Sequence, residues 1–226
     1  MTRSVLFDTE TTGLEPDAGH RVIEIAALEL IRDLPTGRSF HVLLDPCRDI
    51  PEEATRIHGF TSAHLVGKPR FAEVAEALIE FLGDGQLIAH NAPFDFAFVD
   101  LEFALLGLPR LDANRMVDTL ALAKARFPGL PNSLDALCRR FAIDLSDRTA
   151  HNALLDCKLL AEVYVELTGG RQRGLALAVD ELPRLPIINY DLVARRVPRP
   201  IVPTAAELAS HQAFVSRLKG ALWTGA

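Results

Sequence analysis

The chain has 226 residues, of which 49% are hydrophobic, and a formal net charge of −6. A chain of this size can bury a substantial core, and its length predicts one or two domains. No apolar run approaches the roughly 20 residues that span a bilayer, so we expect no membrane span.

The N-terminus and the cysteines indicate the compartment. The opening sequence MTRSVLFDTE has no signal-peptide core, because acidic residues arrive too early. No cysteine belongs to a CxxC pair, which fits reduced thiols better than a disulfide framework. We therefore expect a cytoplasmic protein. The three cysteines are Cys47, Cys138 and Cys157.

Charge is unevenly distributed along the chain. From Gly170 onward there are eight basic and four acidic residues, a net of +4, whereas residues 1–169 hold sixteen basic and twenty-six acidic residues, a net of −10. Affinity for phosphate usually comes from Lys and Arg, so the acidic part is a poor unaided binder of nucleic acid. A polyanionic substrate would need metal ions or another protein to attract it.

The first elements in chain order predict an antiparallel meander. Val5, Leu6 and Phe7 form a short apolar strand that enters the motif FDTETTG. Two further stretches, RVIEIAALELI and SFHVLLDP, are typical of strands. We predict the turn between them at Thr36–Gly37.

Strands and helices then alternate, which predicts an α/β fold with a mixed sheet flanked by helices. Apolar residues at helical spacing, closed by glycine, predict several helices. A cap at Asn132 or Ser133 begins one of them. In order, the stretches are the helix FAEVAEALIEFLGDG, the strand QLIAH, the helix FDFAFVDLEFALLGL, the strand-then-helix RMVDTLALAKARF, the helix SLDALCRRF and the helix NALLDCKLLAEVYVELTGG.

The chain changes character after Gly170. Prolines interrupt a stretch with little periodicity, which is typical of a linker. From Thr204 the pattern becomes helical again. We predict three parts: a globular domain over 1–170, a linker over 171–203 and a helical tail over 204–226.

Two acids in FDTETTG pose an electrostatic problem. Residues two apart in a strand point the same way, so Asp8 and Glu10 face one side together. Like charges so close repel each other and need compensation by basic side chains or a cation.

Three more candidates come from later in the chain. Asp95 lies in the first turn of a predicted helix, His151 just before the last long helix, and Asp156 inside that helix. Four converging carboxylates would bind hard divalent cations, and two such ions about 4 Å apart promote phosphodiester hydrolysis. The imidazole of His151 could accept the proton of the attacking water.

Each residue also has an ordinary interpretation. DTE after a strand is usually a solvated loop, and Asp95 could simply favour the helix dipole. His151 could cap backbone groups, and Asp156 could be an outward-facing helical acid. These interpretations explain each residue separately, but they do not explain why all five candidate residues occur together in this order.

Taken together, the motifs FDTETTG, NAPFD and HNALLD resemble those of the DEDDh exonucleases. HRVIEIAALEL, KPRFAEVAEAL, FPGLPNSLDALCRRFAID and LLAEVYVELTGG narrow the resemblance to the epsilon (proofreading) subunits of bacterial DNA polymerase III. The resemblance covers nearly all of residues 4–170. It implies an RNase H-like fold and 3′→5′ hydrolysis of DNA ends that releases nucleoside 5′-monophosphates.

The resemblance also implies roles for single residues. His151 would be the general base, and two Mg²⁺ or Mn²⁺ ions would be held by Asp8, Glu10 and Asp156, with Asp95 completing the acidic set. Glu53 and His58, in PEEATRIHGF, would contact the terminal nucleotide, and Leu14 would be an apolar wedge against its base. The implied substrate-binding set is Asp8, Glu10, Leu14, Glu53, His58 and Asp156.

The C-terminal part resembles the partner-binding region of the same family. QRGLAL, with Gln172, Leu175 and Leu177, is similar to a weak sliding-clamp motif. In the tail an apolar stripe at spacings of seven, three and four would dock on the polymerase alpha subunit. A small accessory subunit is a further implied partner. The stripe is Leu208, Val215, Leu218 and Leu222, flanked by Phe214 and Trp223.

Three alternatives stay open at this point. A DEDDh RNA exonuclease of the oligoribonuclease or RNase T type would share the same acids and histidine. A non-catalytic adaptor could link a clamp or polymerase to another protein, although a scaffold has no need for clustered like charges. A free-standing DNA repair exonuclease would leave the tail unexplained.

Overall fold

Three long strands open the chain in this computed structural model, which describes residues 3–146, 148, 150–169, 200 and 202–219. Strand β1 spans Arg3–Thr11, β2 spans Val22–Ile31 and β3 spans Leu34–Leu43. They pair antiparallel in sequence order, which confirms the predicted meander.

The β2–β3 turn lies earlier than the sequence predicts. Arg32 and Asp33 make it, both with positive φ (53° and 63°), so the prediction of a turn at Thr36–Gly37 is wrong. Thr36 and Gly37 instead belong to β3, where an irregularity opposite Glu29 shifts the register. Thr36 Oγ1 donates a 2.9 Å hydrogen bond to the Glu29 carboxylate there.

Helices and two short strands follow, and they match the predicted alternation from residue 71 onward. The helix over Glu52–His58 was not predicted, because PEEATRIHGF is short and has little apolar periodicity. The remaining elements of the first unit are α1 (Glu52–His58), α2 (Ser62–Leu65), α3 (Phe71–Leu82), β4 (Gln86–Ala89), α4 (Ala92–Leu105), β5 (Met116–Asp118), α5 (Thr119–Arg126), α6 (Leu134–Arg140) and α7 (Ala153–Leu167).

The sheet is mixed, with strand order β3-β2-β1-β4-β5. Strand β1 pairs antiparallel with β2 on one side and parallel with β4 on the other, and β4 pairs parallel with β5. The predicted α/β architecture is therefore confirmed, and the strand that carries FDTETTG lies at the centre of the sheet.

Both faces of the sheet are covered by helices. Val5 and Phe7 pack in a cluster with residues of α3 and α4, whereas Leu6 packs in a second cluster with residues of α5, α6 and α7. Because side chains alternate along a strand, Asp8 and Glu10 lie on the Leu6 face, towards α7. Thr9 lies on the opposite face, towards α4.

Side-chain caps define where two of these helices begin. Ser133 Oγ accepts a hydrogen bond from the amide of Ala136 at 3.3 Å, so Ser133 caps α6, as one of the two predicted options. Asn152 Oδ1 accepts from the amide of Leu155 at 3.1 Å and caps α7. The cap fixes Asp156 in the first turn of α7.

The chain divides into two compact units, Met1–Ala176 and Leu177–Ala226. In the second unit, α8 spans Ala205–Val215 and begins with a capping box between Thr204 and Glu207. Leu208 is 53% exposed and Val215 is 7% exposed. Leu218 lies in a turn beyond the end of α8, so the stripe predicted on one helical face is not continuous through that residue.

Several predicted partner-binding residues lie outside the described residues, namely Gln172, Leu175, Leu177, Leu222 and Trp223. Within the described part of the chain, no helix has the length and apolar character needed to cross a membrane.

Candidate active site

The two acids of FDTETTG lie within β1, which runs on to Thr11. Glu10 pairs across the sheet with Glu24 of β2, and an irregularity follows between Glu10 and Thr11. Glu10 is buried, so its carboxylate is held at the sheet surface and does not extend into solvent. The ordinary interpretation of a solvated loop does not apply here.

Asp95 is fixed by the neighbouring strand. Its Oδ1 accepts hydrogen bonds from the amide of Thr9 at 2.9 Å and from Thr9 Oγ1 at 2.8 Å. The start of α4 is secured in turn by Asp118 at the end of β5, whose Oδ1 accepts from the amides of Asn91 and Ala92. Asp95 is buried and bonded to Thr9, so favouring the helix dipole is not its only interaction.

His151 and Asp156 meet at the N-terminal end of α7. His151 Nδ1 lies 3.2 Å from Asp156 Oδ2, and the His151 side chain is 50% exposed. Its backbone amide donates to the carbonyl of Ile57 in α1 at 3.2 Å, which ties this segment to α1. Asp156 itself is buried, not outward-facing.

Three of the predicted residues form a group that could bind a metal ion. Glu10, His151 and Asp156 each offer a ligand atom, and these atoms lie within 4.8 Å of one another. Carboxylate oxygens at this spacing suit a divalent cation with oxygen ligands. The donor set therefore fits such an ion.

The acids of the site perturb one another strongly. Burial, followed by repulsion from Asp156 and Glu24, raises the pKa of Glu10 to about 8. Burial also raises the pKa of Asp95 to about 7, although the hydrogen bonds from Thr9 oppose the shift. The pKa of Asp8 is raised well above its usual range by burial and then by Asp95 and Glu10. These shifts come from burial and from repulsion between the acids, which a bound cation would offset.

Asp156 behaves differently from the other acids. Burial is the largest single influence and works to raise its pKa, but the hydrogen bonds and charges of Arg148 and His151 together outweigh burial, so the pKa is lowered. Arg148 Nε and Nη2 donate to the two oxygens of Asp156 at 2.6 and 2.7 Å. Arg148 is not among the residues predicted from the sequence, although a basic residue three positions before a candidate base was a usable signal.

A second buried acid was also missed. Glu24 in β2 accepts hydrogen bonds from Asn152 Nδ2 at 2.8 Å and from the amide of Ala153 at 3.0 Å. His41 Nε2 lies 2.7 Å from the same carboxylate. An acid inside the apolar strand RVIEIAALELI was the signal that could have found it.

A cavity of about 350 Å³ adjoins Glu10. Its lining includes three further predicted residues, Leu14, Glu53 and His58. Leu14 is 74% exposed at its rim, and His58 is buried. His58 Nδ1 accepts from the amide of Phe60 at 3.0 Å, and burial lowers the pKa of His58, so the ring is neutral with its proton on Nε2.

The structure thus brings most of the predicted residues to one region of the first unit. Strand β1, α4 and α7 carry the acids, and the segment before α7 carries the histidine. The loop after β1 and helix α1 form the adjoining cavity. The residues at this site are Asp8, Glu10, Leu14, Glu53, His58, Asp95, His151 and Asp156.

Comparison with known families gives a consistent answer. A family model described as an exonuclease matches residues 5–164. The DNA polymerase III epsilon subunit of Rickettsia felis is 43% identical over 222 residues, which cover 96% of each chain. The epsilon subunit of Escherichia coli strain K12 is 45% identical over 187 residues, covering 80% of this chain and 76% of its own length.

Solved structures share the fold. Exonuclease X, in complex with 5′ overhanging duplex DNA, superposes with a TM-score of 0.58 and is 27% identical, covering 74% of this chain and 91% of its own. The nuclease domain of 3′hExo, a DEDDh family member bound to rAMP, gives a TM-score of 0.62 at 19% identity, covering 76% of this chain and 94% of its own. The RNase H-like fold of exonucleases is therefore confirmed, and the chain belongs to the exonuclease family and, within it, to the epsilon subunits of DNA polymerase III.

Proposed function

We propose that this chain is the 3′→5′ proofreading exonuclease of a replicative DNA polymerase, which removes mispaired nucleotides from primer ends as 5′-monophosphates. The observation that carries the proposal is the convergence of Glu10, His151 and Asp156, with ligand atoms within 4.8 Å of one another. The buried Asp95 and the half-buried Asp8 interact with the same acids. Such work on DNA would take place in the bacterial cytoplasm.

Membership of this exonuclease family implies dependence on divalent metal ions. We infer two Mg²⁺ or Mn²⁺ ions, held directly by Asp8, Glu10 and Asp156, with Asp95 completing the acidic set. When bound, such ions activate water and stabilise charge on the scissile phosphate and on the departing 3′-oxygen. Their positive charge would also offset the burial and the repulsion between acids that raise the pKa of Asp8 and Glu10.

His151 is the proposed general base. Its ring is half exposed, so water and a DNA end can approach it. Nδ1 lies beside Asp156, which leaves Nε2 as the nitrogen that accepts the proton. For Nε2 to accept, Nδ1 must hold the ring proton, and Asp156 Oδ2 at 3.2 Å can receive a hydrogen bond from it.

The cavity beside Glu10 is the proposed site of the terminal nucleotide. Its size, about 350 Å³, is sufficient for a nucleoside, and its wall is mainly apolar. Leu14, exposed at the rim, is placed to wedge against the terminal base, while Glu53 and His58 would contact the sugar and phosphate side. A mispaired end unpairs at lower cost and so enters a single-strand site more readily.

One assay separates this function from the alternatives. Purified protein with Mg²⁺ is incubated with a 5′-labelled DNA primer, either matched or mismatched at its 3′ end, and with an RNA of equal length. We expect faster shortening of the mismatched DNA, with EDTA abolishing it. Preferential shortening of RNA would favour an RNA exonuclease, and no shortening of any substrate would favour an adaptor.

The C-terminal parts are the proposed partner-binding regions, with 171–203 as a linker and 204–226 as the tail. The exposed side chains of Leu208 and Phe214 on α8 support docking on the polymerase alpha subunit. A tether of this kind raises the effective concentration of the nuclease near the primer end. It would compensate for the acidic character of residues 1–169.

Truncation tests the tail. We expect deletion of residues 204–226 to leave hydrolysis of short free DNA nearly unchanged and to abolish co-elution with the alpha subunit. Co-elution of the truncated protein would move the contact to the globular unit.

The residues Gln172, Leu175 and Leu177 are a proposed clamp motif. We expect Gln172→Ala with Leu175→Ala to weaken clamp pull-down without affecting the nuclease. A small accessory subunit remains a further proposed partner.

A further inference from the structure

A buried arginine occupies the site where the metal ligands meet. The side chain of Arg148, in the segment before α7, is only 8% exposed. Its Nε donates to Asp156 Oδ1 at 2.6 Å and its Nη2 donates to Asp156 Oδ2 at 2.7 Å. Its Nη1 binds the carboxylate of Asp135 in α6, and Nη2 also lies 3.0 Å from His151 Nδ1.

This arrangement uses both oxygens of Asp156. A divalent cation needs at least one of those oxygens as a ligand, and it carries positive charge that repels the guanidinium at such short range. The bidentate pair and full coordination of a metal by Asp156 are therefore competing states. Charge-assisted, bidentate Arg–carboxylate contacts are among the stronger polar interactions in proteins, so the competition is substantial.

The same arginine constrains the proposed base. His151 Nδ1 lies 3.0 Å from Arg148 Nη2 and 3.2 Å from Asp156 Oδ2. A guanidinium only donates hydrogen bonds, so the contact with Arg148 favours the tautomer in which Nδ1 accepts, whereas the contact with Asp156 favours the tautomer in which Nδ1 donates. When Nδ1 accepts, the proton of the neutral ring sits on Nε2, and Nε2 then has no lone pair with which to take a proton from water. Arg148 in this position therefore favours the unproductive tautomer.

We propose that Arg148 closes the metal-free site by competing with the divalent ion for Asp156, and that metal entry displaces it. The inference rests on the proposed role of Asp156 as a metal ligand. Displacement frees an oxygen of Asp156 and releases His151 Nδ1 in a single step. Metal binding thus couples assembly of the site to the tautomer of its base.

Asp135 gives the displaced side chain a second anchor. Its carboxylate belongs to α6 and is 40% exposed, so it lies outside the group formed by Glu10, His151 and Asp156. Arg148 can release Asp156 and keep its contact with Asp135, which avoids leaving a buried cation without a partner. Displacement of Arg148 from Asp156 then requires only a small movement of one side chain.

Metal binding to the full-length protein tests the proposal without any activity assay. Titration with Mn²⁺ is followed by calorimetry at one pH for the wild type, Arg148→Gln and Arg139→Gln, the last being an exposed arginine on α6. We expect binding about tenfold tighter for Arg148→Gln, the value of one charge-assisted hydrogen bond, and unchanged binding for Arg139→Gln. Arg148→Lys, which keeps the charge but loses the bidentate geometry, falls between.

The outcomes separate the two proposals. No Mn²⁺ binding by the wild type would overturn the proposed metal site itself. Wild-type binding with equal or weaker affinity in a folded Arg148→Gln protein would overturn the competition. If that variant instead loses affinity for a nucleoside 5′-monophosphate while its Mn²⁺ affinity is unchanged, the arginine is a phosphate ligand and the inference is wrong.

A second measurement follows the wild-type protein by NMR. The observed signal is the Nε–H resonance of Arg148, which is assigned by its absence from the spectrum of Arg148→Gln. Without metal we expect a resolved signal that exchanges slowly with solvent, because the group is buried and hydrogen-bonded. Saturating Mg²⁺ shifts the signal and accelerates its exchange. A signal that Mg²⁺ leaves unchanged contradicts displacement.

Discussion

The carboxylate of Glu24 in β2 accepts a hydrogen bond from the backbone amide of Ala153, the first residue of α7, at 3.0 Å. Glu24 is fully buried and also accepts from Asn152 Nδ2. A negative charge at this position favours the positive end of the helix dipole. Glu24 thereby sets the position of the helix that carries Asp156.

Replacing Glu24 tests this link. The glutamine in Glu24→Gln cannot accept from all the donors that surround Glu24, so a buried donor is left without a partner. We expect a loss of about 1–3 kcal/mol in the free energy of unfolding, measured with urea on the metal-free protein. The control is Glu162→Gln, a change at an exposed position of α7. We expect its free energy of unfolding to stay within about 0.5 kcal/mol of the wild-type value. Equal stability of the two variants would show that the contact contributes little.

The raised pKa values predict an unusual pH dependence of stability. Glu10 titrates at about 8 in the folded protein, against 4.5 for an ordinary glutamate. Between these values the folded protein binds more protons than the unfolded one, so stability falls as pH rises through that window. We expect thermal unfolding in EDTA to show a lower melting temperature at pH 8 than at pH 6.

Glu10→Gln is the matched test of that assignment. Glutamine cannot ionise, so the decline between pH 6 and 8 becomes shallower in this variant. Saturating Mg²⁺ should oppose the decline in the wild type, because the ion binds the deprotonated acids. A decline of the same steepness in both proteins would assign the titration to other groups.

Asp8 is predicted to be essential for hydrolysis but unfavourable for metal-free stability. Asp8→Asn removes an ionisable group that burial and the neighbouring acids make costly to ionise, while keeping the shape of the side chain. We expect hydrolysis of a DNA primer to fall to background and the melting temperature in EDTA to rise. Glu76→Gln, an exposed change on α3, should alter neither measurement. A destabilised Asp8→Asn protein would point to a structural role for this carboxylate.

His151→Ala tests the proposed base. We expect turnover to fall by roughly 10²–10⁴, the range for loss of general-base catalysis, while the KM for a DNA primer changes less. The measurement is steady-state hydrolysis of a mismatched primer at saturating Mg²⁺. Turnover within a few-fold of the wild type would mean that another group takes the proton.

The local patterns of the sequence determined which elements carry the chemistry. Alternation along β1 placed Asp8 and Glu10 on one face, and the helical patterns placed Asp95 in the first turn of one helix and Asp156 inside another. The resemblance to a known family then linked these acids to His151. Such information lies within a few residues along the chain, where backbone geometry fixes the direction of each side chain.

Only the tertiary structure shows which hydrogen-bond and ion-pair partners the acids of the site have. Nothing local shows that Glu24 reaches Ala153 and Asn152, which lie well over a hundred residues away, or that Arg148 is buried against Asp156. The position of the β2–β3 turn also depended on cross-strand pairing, which placed Arg32 and Asp33 there. For Glu24 the partner is chosen by long-range packing, because a buried charge must find its counterpart wherever the folded chain provides one.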